Sequence, residues 1–523
     1  MSAPRILWAD DEIDLLRPHV IFLEAKGYTV DTVSNGADAV ARAEQERYDV
    51  VFLDEQMPGL DGLGALAEIK STNPDLPVIM ITKSEEEHLM EDALGQQIAD
   101  YLIKPVNPKQ ILLACKRILE GDRLRGEKKQ QAYLQRFGPL AARLGGGLSW
   151  TEWIEVYQEL IRHDAELADA DESVRQILAD QYREANQHFG RFIQDEYEGW
   201  IKRFNDAPDD DGRPPMSPDV VTRWVLPHLR NGKKVVFLLI DCMRYDQWLT
   251  FERVLRQQYD TTTDWHLSIL PTATPFSRNA IFSGLLPKEI AKRFPQLWRG
   301  AERDEHSKNQ NEEDFLNDLL RRRRVDARLR YEKIIKTADG QQFADRAQDY
   351  AQHDLSAIVV NFVDILAHSR SDSDVLKEIA PDEAAYRALT ATWFEHSWLR
   401  RALDELAKKD VTVVITTDHG AVRSLRPAKV IGDRETSTSL RYKHGRNLKA
   451  DEREAIFVKN PETFGLPRQS GTENYIFAKE DYYFVYPTNY NKYVGHYNDT
   501  FQHGGCALEE MLLPVITMTP RAA

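Results

Sequence analysis

Cysteine is scarce: Cys115, Cys242 and Cys506 are the only three in 523 residues, and no two have paired spacing. That excludes a disulfide-stapled scaffold and a cysteine-built zinc finger, and it fits a reducing cytoplasm with the thiols as small core residues. No apolar stretch reaches the ~20 residues that cross a bilayer, and MSAPRILWADDE lacks the apolar core of a secretory leader. A cytoplasmic protein without a membrane span is expected. Positive charge is also short. Against 84 Asp+Glu stand 68 Lys+Arg, a net charge of −16, which opposes non-specific binding to nucleic acid or anionic membrane. No helix-turn-helix is evident, so direct DNA binding is not expected. The length suggests several domains, about three by the usual size prior.

What is present is a recurring pattern of acids and imidazoles after apolar runs. Val411 to Gly420 reads VTVVITTDHG, a β-branched run ending in Asp418 and His419. Val235 to Ile240 runs into Asp241, and Ala357 to Val363 runs into Asp364, with His368 four residues on. His503 stands in FQHGG before the apolar run Met511 to Ile516. Buried parallel strands deliver polar residues at their carboxyl ends, where ligands sit. One such acid can equally be a helix cap. Carboxylates and imidazoles from four parts of the chain are what a two-metal, zinc-type site requires. Pro271 to Gly284, PTATPFSRNAIFSG, adds threonine hydroxyls at the mouth of a helix, suited to a covalent nucleophile for phosphoryl transfer.

The amino-terminal segment repeats the strand-end pattern. Ile6 to Ala9, Thr29 to Thr32, Val50 to Leu53, Val78 to Ile81 and Asp100 to Ile103 are strand candidates, each followed by a helical stretch, which argues a doubly wound parallel sheet. Asp10, Asp11 and Asp54 converge on one edge and call for magnesium, a hard cation that prefers oxygen. Thr82 and Lys104 complete a cradle for a phosphoryl group. From about 120 to 205 apolar residues recur at helical spacing, and Ser149 with Glu152 makes a capping box, so an antiparallel helical bundle is expected with its aromatic stripe as core. Asp206 to Asp219 reads as a linker or exposed loop. Gly432 to Leu448 reads as a surface loop bordering the site, with Lys443, His444 and Arg446 as candidate substrate contacts. Arg244 is either a phosphate-orienting group or half of a surface salt bridge. Arg321 to Arg324 reads as a solvated helix face, His496 as a surface histidine, and Glu509-Glu510 as a brace for the last helix.

As a set, Asp10-Asp11, Asp54-Glu55-Gln56-Met57-Pro58-Gly59, Thr82 and Lys104-Pro105 resemble the receiver domain of bacterial response regulators. The resemblance covers about residues 1–120 and implies a flavodoxin-like fold. It further implies that Asp54 accepts a phosphoryl group from a cognate sensor histidine kinase. Magnesium would be held among Asp10, Asp11, Asp54 and the Gln56 carbonyl, with Thr82, Tyr101 and Lys104 as the switch. Lys83 departs from the small residue usual after the switch threonine. A helical bundle is expected over 121–205.

Over 206–523, the order Asp241, threonine turn, Asp364-x-x-x-His368, Asp418-His419, His503 resembles the alkaline phosphatase superfamily, and HGGCALEEMLLP resembles its PglZ branch. The resemblance implies one zinc held by Asp364, His368 and His503, and another by Asp241, Asp418 and His419 beside the nucleophile. The interval to Ser283-Gly284 and Arg278 in related phosphodiesterases and sulfatases favours Thr274, with Thr272 also open. Arg278 and His444 are the expected substrate contacts.

The whole layout is similar to the PorX-like response regulators associated with type IX secretion in Bacteroidetes. It implies a metal-dependent phosphoric ester hydrolase, a phosphodiesterase in preference to a monoesterase, acting on a nucleotide or cyclic oligonucleotide. A homodimer on phosphorylation and a secretion or sigma-factor-type protein partner are the further expectations. The alternative is a non-catalytic zinc-bound effector that signals by phosphorylation-dependent dimerisation.

Overall fold

The structure is a computed structural model that describes residues 3–82, 98–168, 170–206, 212–300, 310–432, 439–468, 471–488 and 490–521; Lys83 lies outside them. The chain divides into two compact units, Met1–Gln135 and Arg136–Ala523. No described helix is long and apolar enough to cross a membrane.

In the first unit, strands β1 (Arg5–Ala9), β2 (Thr29–Val33), β3 (Val50–Asp54), β4 (Val78–Thr82) and β5 (Asp100–Ile103) form one parallel sheet in the order β2-β1-β3-β4-β5. Each observed strand lies within a residue of the expected range. The central strand β3, VVFLD, is buried throughout, as a strand covered by helices on both faces must be. Its period-two side chains feed two cores, Val51 and Leu53 on one face and Val50 and Phe52 on the other. The helices that follow are capped where the chain leaves the sheet: Asn35 accepts from Asp38 N and Asp61 from Gly64 N.

In the second unit, strands β6 (Val235–Ile240), β7 (Tyr259–Leu267), β8 (Leu329–Ile334), β9 (Leu355–Val360), β10 (Thr412–Thr416) and the last strand, Leu512–Pro520, form a mixed sheet. Its order is β7, last strand, β10, β6, β9, β8. β10, β6, β9 and β8 run parallel, and the last strand is antiparallel to both β10 and β7. The carboxyl ends of β6, β7, β9 and β10 therefore share one edge, and the antiparallel last strand starts from that same edge. Smaller two- and three-stranded sheets from 422–502 flank it.

The helices Trp150–Glu166 and Glu172–Asp206 belong to this second unit. The Ser149–Glu152 capping box is present, with Ser149 N donating to Glu152 Oε2 at 2.8 Å. Trp153, Tyr157, Leu160 and Ile161 are buried, as expected of a core stripe.

Three expectations need correction. The apolar run at 357–363 is not one strand. β9 stops at Val360, and Phe362–Asp372 is a helix, so Asp364 and His368 stand one helical turn apart on one face. Periodicity cannot separate a buried strand from the apolar first turn of the helix after it. The stretch before Asp219 is not an exposed loop: Arg213, Met216 and Ser217 are buried, and Leu267 N donates to Pro215 O at 2.8 Å. Nor is 432–448 wholly a surface loop, since Tyr442–Gly445 is a strand paired with Asn474–Ala478.

Candidate metal-dependent active site

The edge of the receiver sheet is the simpler site. Asp10 and Asp54 are buried, and Lys104 Nζ bridges them at 3.0 and 2.8 Å. Potential ligand atoms of Asp10, Asp11 and Asp54 lie within 4.8 Å of one another. Burial pushes Asp54 above the ordinary carboxylate value, Lys104 opposes this, and Asp10 and Asp11 add repulsion. Asp54 Oδ2 is buried without a hydrogen-bond partner among the described residues, which suits an atom that is to meet a cation or phosphorus. Asp11 and Gln56 line one pocket with Glu55 and Met57. Thr82 ends β4 half-buried, and Tyr101 is exposed on β5.

The second unit builds its site from turns at the sheet edge. β6 ends at Ile240, Asp241 N donates to Val360 O at 2.9 Å, and Cys242 takes a left-handed conformation (φ 65). Thr417 ties this turn to the one after β10: its Oγ1 accepts from Met243 N at 3.1 Å and donates to His419 O at 2.8 Å. Gly420 follows because nothing larger fits, as a Cβ there would lie 1.9 Å from Glu509 O.

The six expected ligands fall into two clusters. Asp241, Asp418 and His419 are fully buried, with ligand atoms within 4.8 Å of one another, and Asp364, His368 and His503 form a second such group. His503 and His419 stack with ring centroids 4.1 Å apart, so the clusters abut. Exposure differs sharply: the His368 side chain is 51% exposed, whereas His419 is at 0%. The deep cluster is thus reached from the His368 side.

The donors fit a pair of zinc ions. Each cluster offers three nitrogen or oxygen ligands and leaves positions open. His419 Nδ1 lies 3.1 Å from Gly420 O and His503 Nδ1 lies 3.3 Å from Thr272 O. Donation to these carbonyls puts the proton on Nδ1 and turns each bare Nε2 toward the carboxylates, the tautomer a metal ligand needs. Burial, with His419 beside it, pushes His503 down to about 3, which keeps it neutral. Asp241 Oδ1 is buried with no hydrogen-bond partner among the described residues. Burial pushes Asp241 up to about 7, against the pull of Arg278 and with repulsion from Asp418 and Asp364. Arg278 occupies Oδ2, so Oδ1 is the oxygen left to a metal ion.

The two threonines separate cleanly. Thr274 opens the helix Thr274–Ser283, is half-buried, and its Oγ1 is 2.9 Å from His419 Nε2. Thr272 is fully buried, donates to Gly505 O at 2.8 Å and accepts from Gly504 N at 3.0 Å. Thr272 therefore holds the turn that carries His503.

Both expected substrate contacts are engaged by side chains of the protein itself. Arg278 is fully buried, donating from Nε to Asp418 Oδ2 at 2.9 Å and pairing with Asp241. A guanidinium one turn into a buried helix finds the two carboxylates before it finds solvent. His444 sits on a strand with Nδ1 at 3.1 Å from Glu473 Oε1, stacked on Tyr475. Lys443 beside it is buried, and Arg446 is exposed. Arg244 is no surface pair either: it is 1% exposed and bonded to Asp246 and Glu383.

Sequence reasoning read Glu510 as a brace but missed what it holds. Glu510 accepts from Gly505 N at 2.9 Å and pairs with the fully buried Arg441, so it braces the HGG turn more than the last helix. Nothing in spacing alone links residues 69 apart.

Comparison with known families now adds to the geometry. A model described as the BREX system PglZ alkaline phosphatase-like domain matches residues 220–518. The chain belongs to the PglZ family. The response regulator receiver domain matches 6–116 and the PorX response regulator linker domain 123–201, a combination that fits the PorX-like description. The chain thus carries a receiver domain ahead of a PglZ alkaline-phosphatase-like domain.

Curated relatives match over part of the chain. ResD of Bacillus subtilis is 33% identical over 115 residues, 22% of this chain and 48% of ResD. AlgB of Pseudomonas aeruginosa is 31% identical over 175 residues, 34% of this chain and 35% of AlgB. The chain thus spans half or less of these relatives. Among solved structures, the receiver domain of the sensor histidine kinase PA1611 from Pseudomonas aeruginosa, with magnesium in its active-site cleft, is 29% identical and covers 23% of this chain and 98% of its own (TM-score 0.21). Chemotaxis protein CheY4 of Vibrio cholerae is likewise 29% identical over 22% of this chain and 98% of its own (TM-score 0.21).

Proposed function

We propose that the PglZ unit is a zinc-dependent phosphodiesterase with Thr274 as its nucleophile. The observation that carries the reading is the Thr274 hydroxyl 2.9 Å from His419 Nε2, beside two abutting carboxylate–histidine clusters. The deep zinc would be held by Asp241, Asp418 and His419, and the outer one by Asp364, His368 and His503. When bound, the ions would lower the pKa of the threonine hydroxyl and neutralise charge on the phosphoryl oxygens.

The chain's own residues do the rest. Thr274 stands at the start of a ten-residue helix, whose dipole favours negative charge at that end. Its Oγ1 gives up its proton to solvent and forms a bond to phosphorus as the bond to the leaving oxygen breaks, the leaving oxygen taking a proton from water. Water then cleaves the threonine phosphoester and restores the hydroxyl. Arg278 is taken up by Asp241 and Asp418, and Arg244 by Asp246 and Glu383. With Arg278 and Arg244 engaged in this way, a singly charged diester such as a nucleotide or cyclic oligonucleotide suits the site better than a dianionic monoester. The test is turnover of bis(p-nitrophenyl) phosphate against p-nitrophenyl phosphate by the zinc-loaded protein and its Asp418→Ala variant. Diester turnover lost in the variant is expected; monoester preference, or unchanged turnover, would refute the reading.

On the receiver we infer that Asp54 takes its phosphoryl group from a histidine kinase, with magnesium among Asp10, Asp11 and Gln56. Phosphorylation would favour a homodimer and serve a secretion-linked role of the type IX kind, through a secretion or sigma-factor-type partner. Support comes from the buried Asp54 Oδ2, without a hydrogen-bond partner among the described residues, and from the linker-domain match. Light scattering with beryllofluoride and magnesium should show a mass increase that Asp54→Asn abolishes; equal mass in both would count against it.

A further inference from the structure

The turn carrying Thr274 and the turn carrying His503 meet at Thr272, and both are held from behind by one helix that contributes no ligand. Asn186, 6% exposed on helix Glu172–Asp206, uses both ends of its amide. Its Oδ1 accepts from Leu508 N at 2.8 Å, and its Nδ2 donates to the Glu509 carboxylate at 3.1 Å. These residues open the short helix Leu508–Met511. That helix grips both histidine turns: Glu510 takes Gly505 N through its carboxylate and Gly420 N through its carbonyl, at 2.9 and 3.3 Å. Three turns further along the same long helix, the fully buried Tyr197 accepts Leu270 N at 2.9 Å, four residues before Thr274.

We propose that Asn186 and Tyr197 are positioning residues for the metal site, so that the helical segment between receiver and PglZ domain is a working part of that site. The proposal deepens the hydrolase reading and rests on it for the Tyr197 arm alone. Only an amide can serve Leu508 N and the Glu509 carboxylate together, since a carboxylate lacks the donor and an apolar group lacks both. With Asn186 lost, Leu508–Met511 has lost its anchor on the long helix, and the His503 turn shifts with it. With the Tyr197 hydroxyl lost, Leu270 N is left buried without a partner, and the Thr274 turn is free to move. Because this helix also precedes the PglZ domain in the chain, a change in its register would be felt at ligands and nucleophile together.

The test uses the full chain with variants Asn186→Leu, Asn186→Asp and Tyr197→Phe. Gln181→Leu is the control, because it cuts a hydrogen bond of the same helix to Phe137 O, inside the helical segment. Zinc affinity is read by competition with a chromophoric chelator, and ligand geometry by the visible absorption of the cobalt-substituted protein. Asn186→Leu should bind zinc about tenfold more weakly and show an altered cobalt spectrum. Asn186→Asp, which keeps the acceptor for Leu508 N, should lie between it and the parent and stands in if the leucine variant does not fold. Tyr197→Phe should keep its zinc affinity within about twofold but lose about tenfold in kcat at constant KM. Gln181→Leu should change neither. Unchanged zinc affinity and cobalt spectrum in a folded Asn186 variant would overturn the role of Asn186, and unchanged kcat would overturn that of Tyr197. Equal losses in Gln181→Leu would overturn both. If the parent itself hydrolyses nothing, the hydrolase reading fails, while the zinc and cobalt readings still decide the role of Asn186.

Discussion

Replacing the two threonines by valine should produce opposite defects. In Thr272→Val the shape is kept, but Gly504 N and Gly505 O both lose their partner in a fully buried place. A buried polar group left unpaired costs about 1–3 kcal/mol, the carbonyl less than the amide. The sum, about 2–4 kcal/mol, is a large share of the roughly 5–15 kcal/mol that holds a domain folded. Thr274→Val removes one hydrogen bond at a half-buried position, about 1 kcal/mol. Urea unfolding in the presence of a chelator isolates these terms from zinc: the midpoint of the PglZ unit should fall clearly in Thr272→Val and little in Thr274→Val. Turnover should reverse the ranking. Thr274→Val should lose about a thousandfold or more, whereas Thr272→Val should lose about tenfold to a hundredfold through a weaker hold on His503 and recover with excess zinc. Turnover of Thr274→Val within tenfold of the parent would refute the nucleophile assignment, and an unchanged urea midpoint in Thr272→Val would refute the scaffold assignment.

Other perturbations test neighbouring steps. Gly420→Ala places a Cβ 1.9 Å from a backbone oxygen, so it should destabilise the unit by about 1–3 kcal/mol or more and abolish tight zinc binding, read by calorimetry. Glu509 is pushed up to about 7 from 4.5, first by burial and then by Glu383. Its protonated form is the one the fold favours, so its contribution is fully present below about 4.5 and is lost as pH rises toward about 7. The penalty above pH 7 is about 3 kcal/mol, and urea midpoints of Glu509→Gln should be flatter than the parent's across that window. In the receiver, Lys104→Met leaves Asp10 and Asp54 buried together without their cation. It should cost about 3–5 kcal/mol without magnesium and be partly rescued by adding it, as read by hydrogen exchange at β1 and β3.

Where sequence was legible, one physical rule was at work. Asp54, Asp241, Asp418 and His419 are visible because several β-branched apolar runs each stop at an acid, and buried parallel strands deliver polar residues at their carboxyl ends. Asp364 and His368 were found for a partly wrong reason, since their pairing comes from one turn of helix and not from a strand end. Arg278 shows the limit of spacing arguments: its interval from Thr274 is readable, but the direction of its guanidinium depends on Asp241 and Asp418, 37 and 140 residues away. Asn186, Tyr197 and Arg441 were invisible for the same reason. Each is an ordinary residue on an amphipathic or strand pattern until the fold brings it beside a backbone amide or carboxylate far along the chain.

The most direct measurement is to trap the covalent intermediate. The zinc-loaded protein is mixed with bis(p-nitrophenyl) phosphate, quenched in acid within a turnover, digested and weighed peptide by peptide. The account predicts one p-nitrophenylphosphoryl group on Thr274 and none on Thr272. The same group on Thr272, or steady turnover with neither threonine labelled, would contradict it.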